Sequence, residues 1–153
     1  MKKTRGFEIV KGWEDKDIHL PIRKTKHAAA YDIEAGEDVV VPVFKPGIKP
    51  TIIPTGLKAY CGDDECYFLM SRSGGPKKGL VMPHGLGLID ADYYDNPDNG
   101  GHFMIQVFNC SDKEIHIKKG EAIAQVVFVK YLICDNDNAS GRRQGGFGST
   151  DRK

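Results

Sequence analysis

Apolar positions in this chain fall in short runs, and each run is closed by a turn signal within a few residues. The runs read "FEIV", "DVVVPVF", "PTIIPTGLKAY", "CYFLM", "FMIQVFN", "EIHI" and "AIAQVVFVKYLI". Between them stand "KPG", "CGDDE", "SGGPKKG", "NPDNGG", "SDKE" and "KKGE". β-branched and aromatic runs bounded by Gly, Pro, Asn and Asp predict strands joined by tight turns, in a sandwich or barrel and not in βαβ units. No amphipathic helix is predicted beyond a turn or two near 74–80, and no internal repeat is present. The run "AIAQVVFVKYLI" is too apolar for a strand wetted on one face. It predicts burial on both sides, within a sandwich or against another subunit.

After about Asp135 the pattern stops. "CDNDNASG" is polar and aperiodic, and "RRQGGFGST" follows it at residues 142–150. Three glycines in that stretch cost backbone entropy on ordering, so the segment does not fold for its own stability. It does offer an aromatic ring, arginines and unobstructed backbone N–H groups, which together suit a base and a phosphate chain. The chain therefore divides into an all-β domain over 1–135 and a flexible Gly-rich arm over 136–153.

Composition narrows the setting. A chain of 153 residues with a formal net charge of +1 is sized for one domain and carries no nucleic-acid or membrane footprint. No apolar run reaches spanning length, and "MKKTRGFEIV" lacks an apolar leader core. The four cysteines (Cys61, Cys66, Cys110 and Cys134) show no CxxC spacing, which argues against zinc. Cys110 and Cys134 sit among apolar residues and are expected to be buried and reduced, which fits the cytoplasm.

Several segments could carry chemistry. "GLGLIDADYYDN" lacks the third glycine of a dinucleotide fingerprint and no helix follows it. On a strand, Asp90 and Asp92 would share a face, as a base or near a metal; a polar strand end explains them equally. "SRSGGPKKGL" offers the hydroxyls of Ser71 and Ser73, the Arg72 fork and the amides at Gly74 and Gly75 to phosphate oxygens, without the ending of a P-loop. Asp32 follows three alanines and could order a metal's water shell or simply sit in a hairpin. Gln125 could hold phosphate or satisfy a core group. "NPDNGGH" departs from a calcium loop in its glycine position and reads as a turn.

The order of these blocks says more than any one of them. "AAYDIEA", "SRSGG", "GLGLIDADY", "GEAIAQ" and "RRQGGFGST", in that order, strongly resemble the five motifs of the homotrimeric deoxyuridine triphosphatase (dUTPase) family, over roughly residues 20 to 150. The resemblance implies a distorted β-barrel of jelly-roll type (the β-clip) and hydrolysis of dUTP to dUMP and pyrophosphate, which supplies thymidylate synthesis and keeps uracil out of DNA. It implies Asp90 as general base and a hairpin from Gly85 to Asp90, with Leu88 in it, that reads uracil. It further implies Tyr93 under the deoxyribose and Phe147 stacked on the base. Arg72, Ser73, Gly74 and Gln125 would hold phosphates, joined by Arg142, Gly148, Ser149 and Thr150 from the arm. Mg²⁺ would bridge the phosphates with no direct protein ligand, Asp32 reaching it through water. The sites would be shared in a homotrimer, with the arm arriving from a third subunit.

This chain departs from the family pattern in places. "DNPDNGG" is longer than the usual turn, Arg143 replaces a glycine after the first arginine, Asp151 replaces a glycine, and His84 precedes the hairpin where asparagine can stand. Spacing to Phe147 favours Arg142 over Arg143 as the phosphate contact. Two alternatives stay open: a dCTP deaminase-type enzyme of the same fold, against which "GGFGST" argues, and an added regulatory role through the exposed insert, as in phage members.

Overall fold

The computed structural model describes residues 2–148. Eleven strands carry the fold among them: β1 (Gly6–Ile9), β2 (Tyr31–Glu34), β3 (Val39–Val41), β4 (Thr51–Pro54), β5 (Leu57–Tyr60), β6 (Glu65–Ser71), β7 (Leu80–Val81), β8 (Leu86–Asp90), β9 (Met104–Asn109), β10 (Ile115–Ile117) and β11 (Ala122–Lys130). The helical content is two single turns of 3₁₀ helix, Pro76–Lys78 and Ala91–Tyr93. The first is the turn expected near 74–80. Pro76 starts it, where its missing N–H costs nothing, and Gly79 ends it at φ +86°. The fold is all-β, a distorted barrel of jelly-roll type.

Four sheets form the wall, in the orders β2-β11-β6-β8, β4-β9-β7, β1-β5 and β10-β3. All named pairs are antiparallel. The seven-residue β6 runs through the middle of the four-stranded sheet, with Met70 opposite Gln125 on one side and opposite Leu86 on the other. Its two flanks are thereby paired from Cys66 to Met70, which explains the continuous apolar run there.

The inward face of this sheet presents Ile33, Tyr67, Leu69, Ala124 and Val126, all buried, to Ile53, Phe103, Ile105 and Ile117 from the rest of the barrel. Aromatic edges close the packing: Phe7 meets Phe128 and Tyr31 at 5.4 Å between centroids, and Tyr67 meets Phe103 at 5.8 Å. Each such pair adds about 1 kcal/mol beyond area burial.

The local geometry corrects several expectations. "PTIIPTGLKAY" is two strands, because Gly56 turns at φ +72° between β4 and β5. β11 ends at Lys130, and Leu132 and Ile133 beyond it are 98% and 71% exposed. Within β11, Ala124 and Val126 are buried, while Gln125, Val127 and Val129 on the other face are only half-buried. A single chain therefore covers one side of this strand and not both. Cys110 and Cys134 are exposed, and Cys66 is the buried cysteine. Cys110 falls just past the end of β9 and Cys134 past β11, so the apolar neighbours of each in sequence are not neighbours in the core. Burial pushes the Cys61 thiol up to about 11 and raises that of Cys66, which keeps both protonated.

Candidate active site

β8 delivers the central carboxylate. Gly85, at φ +68°, makes the turn into the strand, with its N–H donating to the carbonyl of Met82 at 3.0 Å. Leu86, Leu88 and Asp90 then alternate onto the outward face of the sheet. Leu86 and Leu88 stay exposed, so they wall a surface cleft of about 340 Å³ and add nothing to the core. His84, Tyr93, Arg143 and Phe147 complete the lining with Asp90. On its other flank, Asp90 shares with Tyr60, Asp63, Asp92, Tyr94 and Arg143 a polar cavity of about 510 Å³.

The strand stops at Asp90. A 3₁₀ turn follows, so Asp92 is not the next outward residue of a strand, as alternation predicted. The turn instead swings Tyr93 inward to 6% exposure. Its hydroxyl donates to the carbonyl of His102 at 3.0 Å and accepts from Asn99 Nδ2 at 2.7 Å. Burial raises the Tyr93 pKa, with the Asn99 hydrogen bond opposing it. Asp90 and Asp92 are still brought together, by a cation. Arg143 Nη2 bonds Asp90 Oδ2, and Arg143 Nε donates to Asp92 Oδ1 at 2.6 Å.

Arg143 thus lays the arm over the cleft. Phe147 sits at the mouth, 59% exposed, in a left-handed conformation (φ +52°) that continues through Gly148. Two glycines earlier make the approach possible. A Cβ on Gly146 would stand 2.6 Å from the Tyr93 ring, and one on Gly145 would stand 2.8 Å from Asp98 Cβ. No larger residue fits at either position. Arg143, Gly146 and Phe147 of the arm border the cleft of Asp90. Arg142 is exposed and Arg143 makes the contacts. Ser149 and Thr150 lie outside the described residues.

The predicted phosphate groups form a second site. Asp32, Arg72, Ser73 and Gln125 line a cavity of about 480 Å³ with Lys24. Arg72 Nε pairs with Asp32 Oδ1 at 3.0 Å, and its Nη1 donates to the carbonyl of Ala122 at 3.0 Å. Gln125 Nε2 donates to the carbonyl of Ser71 at 3.0 Å. Asp32 Oδ2 is buried without a hydrogen-bond partner. Gly74 lies apart from these, beside Arg72 in a smaller recess with Gly75 and Lys78. Among the described residues, no three His, Cys, Asp or Glu side chains cluster to hold a metal directly.

The two sites do not meet within one chain. Asp90 stands opposite Cys66 and Gln125 opposite Met70, on opposite flanks of β6. At ~3.3 Å per residue and ~4.8 Å per strand, Asp90 and Gln125 are on the order of 16 Å apart. A general base must come within about 3 Å of the water it activates.

Sequence reasoning missed Arg143 as the partner of both carboxylates and Asn99 as the partner of Tyr93. The doubled arginine carried a signal for the first. The Asn-Pro-Asp-Asn spacing at 96–99, a strong side-chain-to-backbone turn, carried one for the second.

Comparison with known proteins identifies the family. A protein-family model described as dUTPase matches residues 16–151. The chain is 48% identical over 151 residues to a deoxyuridine 5'-triphosphate nucleotidohydrolase of Lactococcus lactis, covering 97% of this chain and 98% of that protein. The crystal structure of a dUTPase from Streptococcus mutans superposes with a TM-score of 0.79 at 38% identity, over 86% of this chain and 99% of that one. A mutant dUTPase from phage phi11 of S. aureus shares the fold at 21% identity, with a TM-score of 0.71 over 91% of this chain and 98% of that one. Its structure is described as revealing the coordination of a structural Mg(II) ion.

Proposed function

The chain belongs to the dUTPase family and hydrolyses dUTP to dUMP and pyrophosphate; we propose that it does so in the cleft between β8 and the arm, with Asp90 as general base. Asp90 takes a proton from a water that attacks the α-phosphorus. The bond from that phosphorus to the α–β bridging oxygen breaks, and pyrophosphate leaves. A carboxylate in this role contributes roughly 10²–10⁴-fold.

One observation carries the reading. Asp90 sits at the polar rim of a cleft whose other walls are Leu86, Leu88, the Tyr93 ring and the Phe147 ring. Such a cleft takes a flat base and a sugar, and leaves the carboxylate at the end where the phosphates begin. The backbone of Gly85 to Asp90 reads uracil, Tyr93 lies under the deoxyribose, and Phe147 closes on the base as the arm of residues 136–153 acts as a lid over the body. The contact with Asp90 and Asp92 supports Arg143 over Arg142 as the arginine that passes to the phosphates when they arrive. A dCTP deaminase activity finds no support in a 48% identical nucleotidohydrolase.

Mg²⁺ fits the second cavity. Asp32 lines this cavity with Arg72, Ser73 and Gln125, and its Oδ2 is buried without a hydrogen-bond partner; hard oxygen donors here suit the water shell of a small divalent ion. Bound with the triphosphate, the ion would neutralise phosphate charge. The protein residues hold the phosphate oxygens, Ser73 and Gln125 by hydrogen bonds and Arg72 by its guanidinium.

The distance of about 16 Å between Asp90 and Gln125 supports a site completed by a neighbouring subunit in a homotrimer. The half-covered face of β11 and the exposed Leu132 and Ile133 support the same assembly. A pyrophosphate-release assay with dUTP, dCTP, dTTP and UTP in parallel tests the activity; release from dUTP alone is expected.

The assembly is tested by mixing. An Asp90→Asn chain and an Arg72→Ala/Gln125→Ala chain are each nearly dead. Co-refolded in equal amounts, they should recover roughly a quarter of wild-type activity, because every mixed cyclic trimer holds one complete site. Mixed trimers that form and stay inactive would place both halves of the site in one subunit.

A further inference from the structure

The loop between the 3₁₀ turn at Ala91–Tyr93 and β9 is not the loose insert its composition suggests. Asn96 is 4% exposed. Its Nδ2 donates to the carbonyl of Tyr93 at 2.8 Å and to Asn99 Oδ1 at 2.9 Å. Its Oδ1 accepts the N–H groups of Asp98 and Asn99, both at 3.1 Å. Asn99 in turn accepts the N–H of Gly101 at 3.1 Å, and its Nδ2 donates to the Tyr93 hydroxyl and to the carbonyl of His102 at 3.2 Å. Gly101 (φ +83°) lets the chain pass against the backbone of Tyr93, where a Cβ would stand 3.0 Å from that carbonyl. Both asparagine amides have nearly every donor and acceptor used, which makes the loop a rigid block.

This block has two working sides. One holds the Tyr93 ring by its hydroxyl and its carbonyl. The other receives the arm: Asp98 N–H donates to the carbonyl of Gln144 at 3.1 Å, and Gly145 packs on Asp98 Cβ. Gly146 then lies on the Tyr93 ring itself. The same few residues therefore set the floor of the cleft and the seat of the lid.

We propose that residues 95–101 are a docking ledge for the C-terminal arm, and that Asn99 is the positioning residue that couples the seat of the arm to the placement of Tyr93. The inference rests on the dUTPase reading of the cleft. Asn99 touches no substrate; it acts through the Tyr93 hydroxyl. Without its Nδ2 donor, the ring is held by the His102 carbonyl alone and tilts. Gly146 then loses its flat support and the arm closes less often, so substrate affinity falls while the chemistry at Asp90 keeps its rate.

The test is a double-mutant cycle with Asn99→Ala and Tyr93→Phe, read by dUTP turnover and by hydrogen exchange of residues 142–148 with a non-hydrolysable dUTP analogue. Asn99→Ala should raise KM about tenfold with kcat within twofold, and should lower the arm's protection by a similar factor. In a Tyr93→Phe background, the same substitution should change KM less than threefold, because the coupling hydroxyl is already gone. If Asn99→Ala does not fold, Asn99→Asp, which keeps size and acceptor but loses the donor, carries the same expectations. Fully additive effects, or arm protection equal to wild type, would overturn the proposal. Failure of the underlying reading looks different: the wild-type protein itself would release no pyrophosphate from dUTP.

Discussion

His102 is buried to 5% exposure and holds the turn between β4 and β5 as an acceptor. Its Nε2 takes the N–H of Gly56 at 2.8 Å and that of Thr55 at 3.2 Å, while its ring packs edge-on to Trp13 with centroids 5.2 Å apart. A proton on Nε2 would face two donors. Burial, with a smaller push from Lys16, accordingly lowers its pKa from 6.5 to about 4. The sign follows from proton linkage. Below about pH 6.5 the unfolded chain takes up a proton that the folded chain refuses, so stability is lost as pH falls, down to the folded pKa near 4. At about 1.4 kcal/mol per pKa unit, the loss relative to pH 7 is about 2 kcal/mol by pH 5 and about 3 kcal/mol by pH 4. Other groups titrate there too, among them Glu65, whose carboxyl is held at about 2 by Arg5 and the Gly62 N–H. A His102→Gln variant keeps all of those and removes only the imidazole. At pH 7 it should be less stable by about 2 kcal/mol, from lost packing and imperfect acceptance of two buried N–H groups. Urea unfolding of both proteins at pH 7, 5.5 and 4.5 should show the gap closing as pH falls, the wild type losing more. Parallel curves, or an imidazole titrating near 6.5 by NMR in the folded protein, would refute the reasoning.

Three further outcomes follow from the cleft. Asp90→Asn keeps shape and loses the base, so dUTP should still bind while turnover falls about 10²–10⁴-fold; single-turnover kinetics beside equilibrium binding check this. Phe147→Ala should lower kcat/KM by about 10- to 100-fold, the worth of one base–aromatic stack of ~1–3 kcal/mol. Its melting temperature should match wild type, because that ring is exposed and belongs to no core cluster. Stripping divalent ions with EDTA should suppress turnover and restoring Mg²⁺ should recover it, with the unfolding curve unmoved; a shifted curve would indicate an ion that holds the fold.

Much of this protein is written locally in its sequence. Runs such as "CYFLM" and "FMIQVFN" form strands because alternate residues suit a half-buried pleated surface, and "KPG" or "KKGE" turns because Gly and Pro supply the dihedrals. The order of the five blocks likewise carried the family, since each block keeps its own residues wherever the chain places it. Tertiary structure decided what depends on distant partners. β2 was invisible as a four-residue segment and exists because Asp32 and Ile33 pair with β11. The register of β6 against β8 and β11 set the gap between Asp90 and Gln125, which no spacing along the chain expresses. Cys110 and Cys134 look buried beside apolar neighbours, yet each lies just past the end of its strand and is exposed. The contacts of Arg143 with Asp90 and Asp92, and of Asn99 with Tyr93, came from the packing of the arm and the folding of the 95–101 loop onto the same ring. Propensity and turn chemistry act within a few residues, whereas burial, pairing register and side-chain partnership are set by groups tens of residues apart that meet only when the barrel closes.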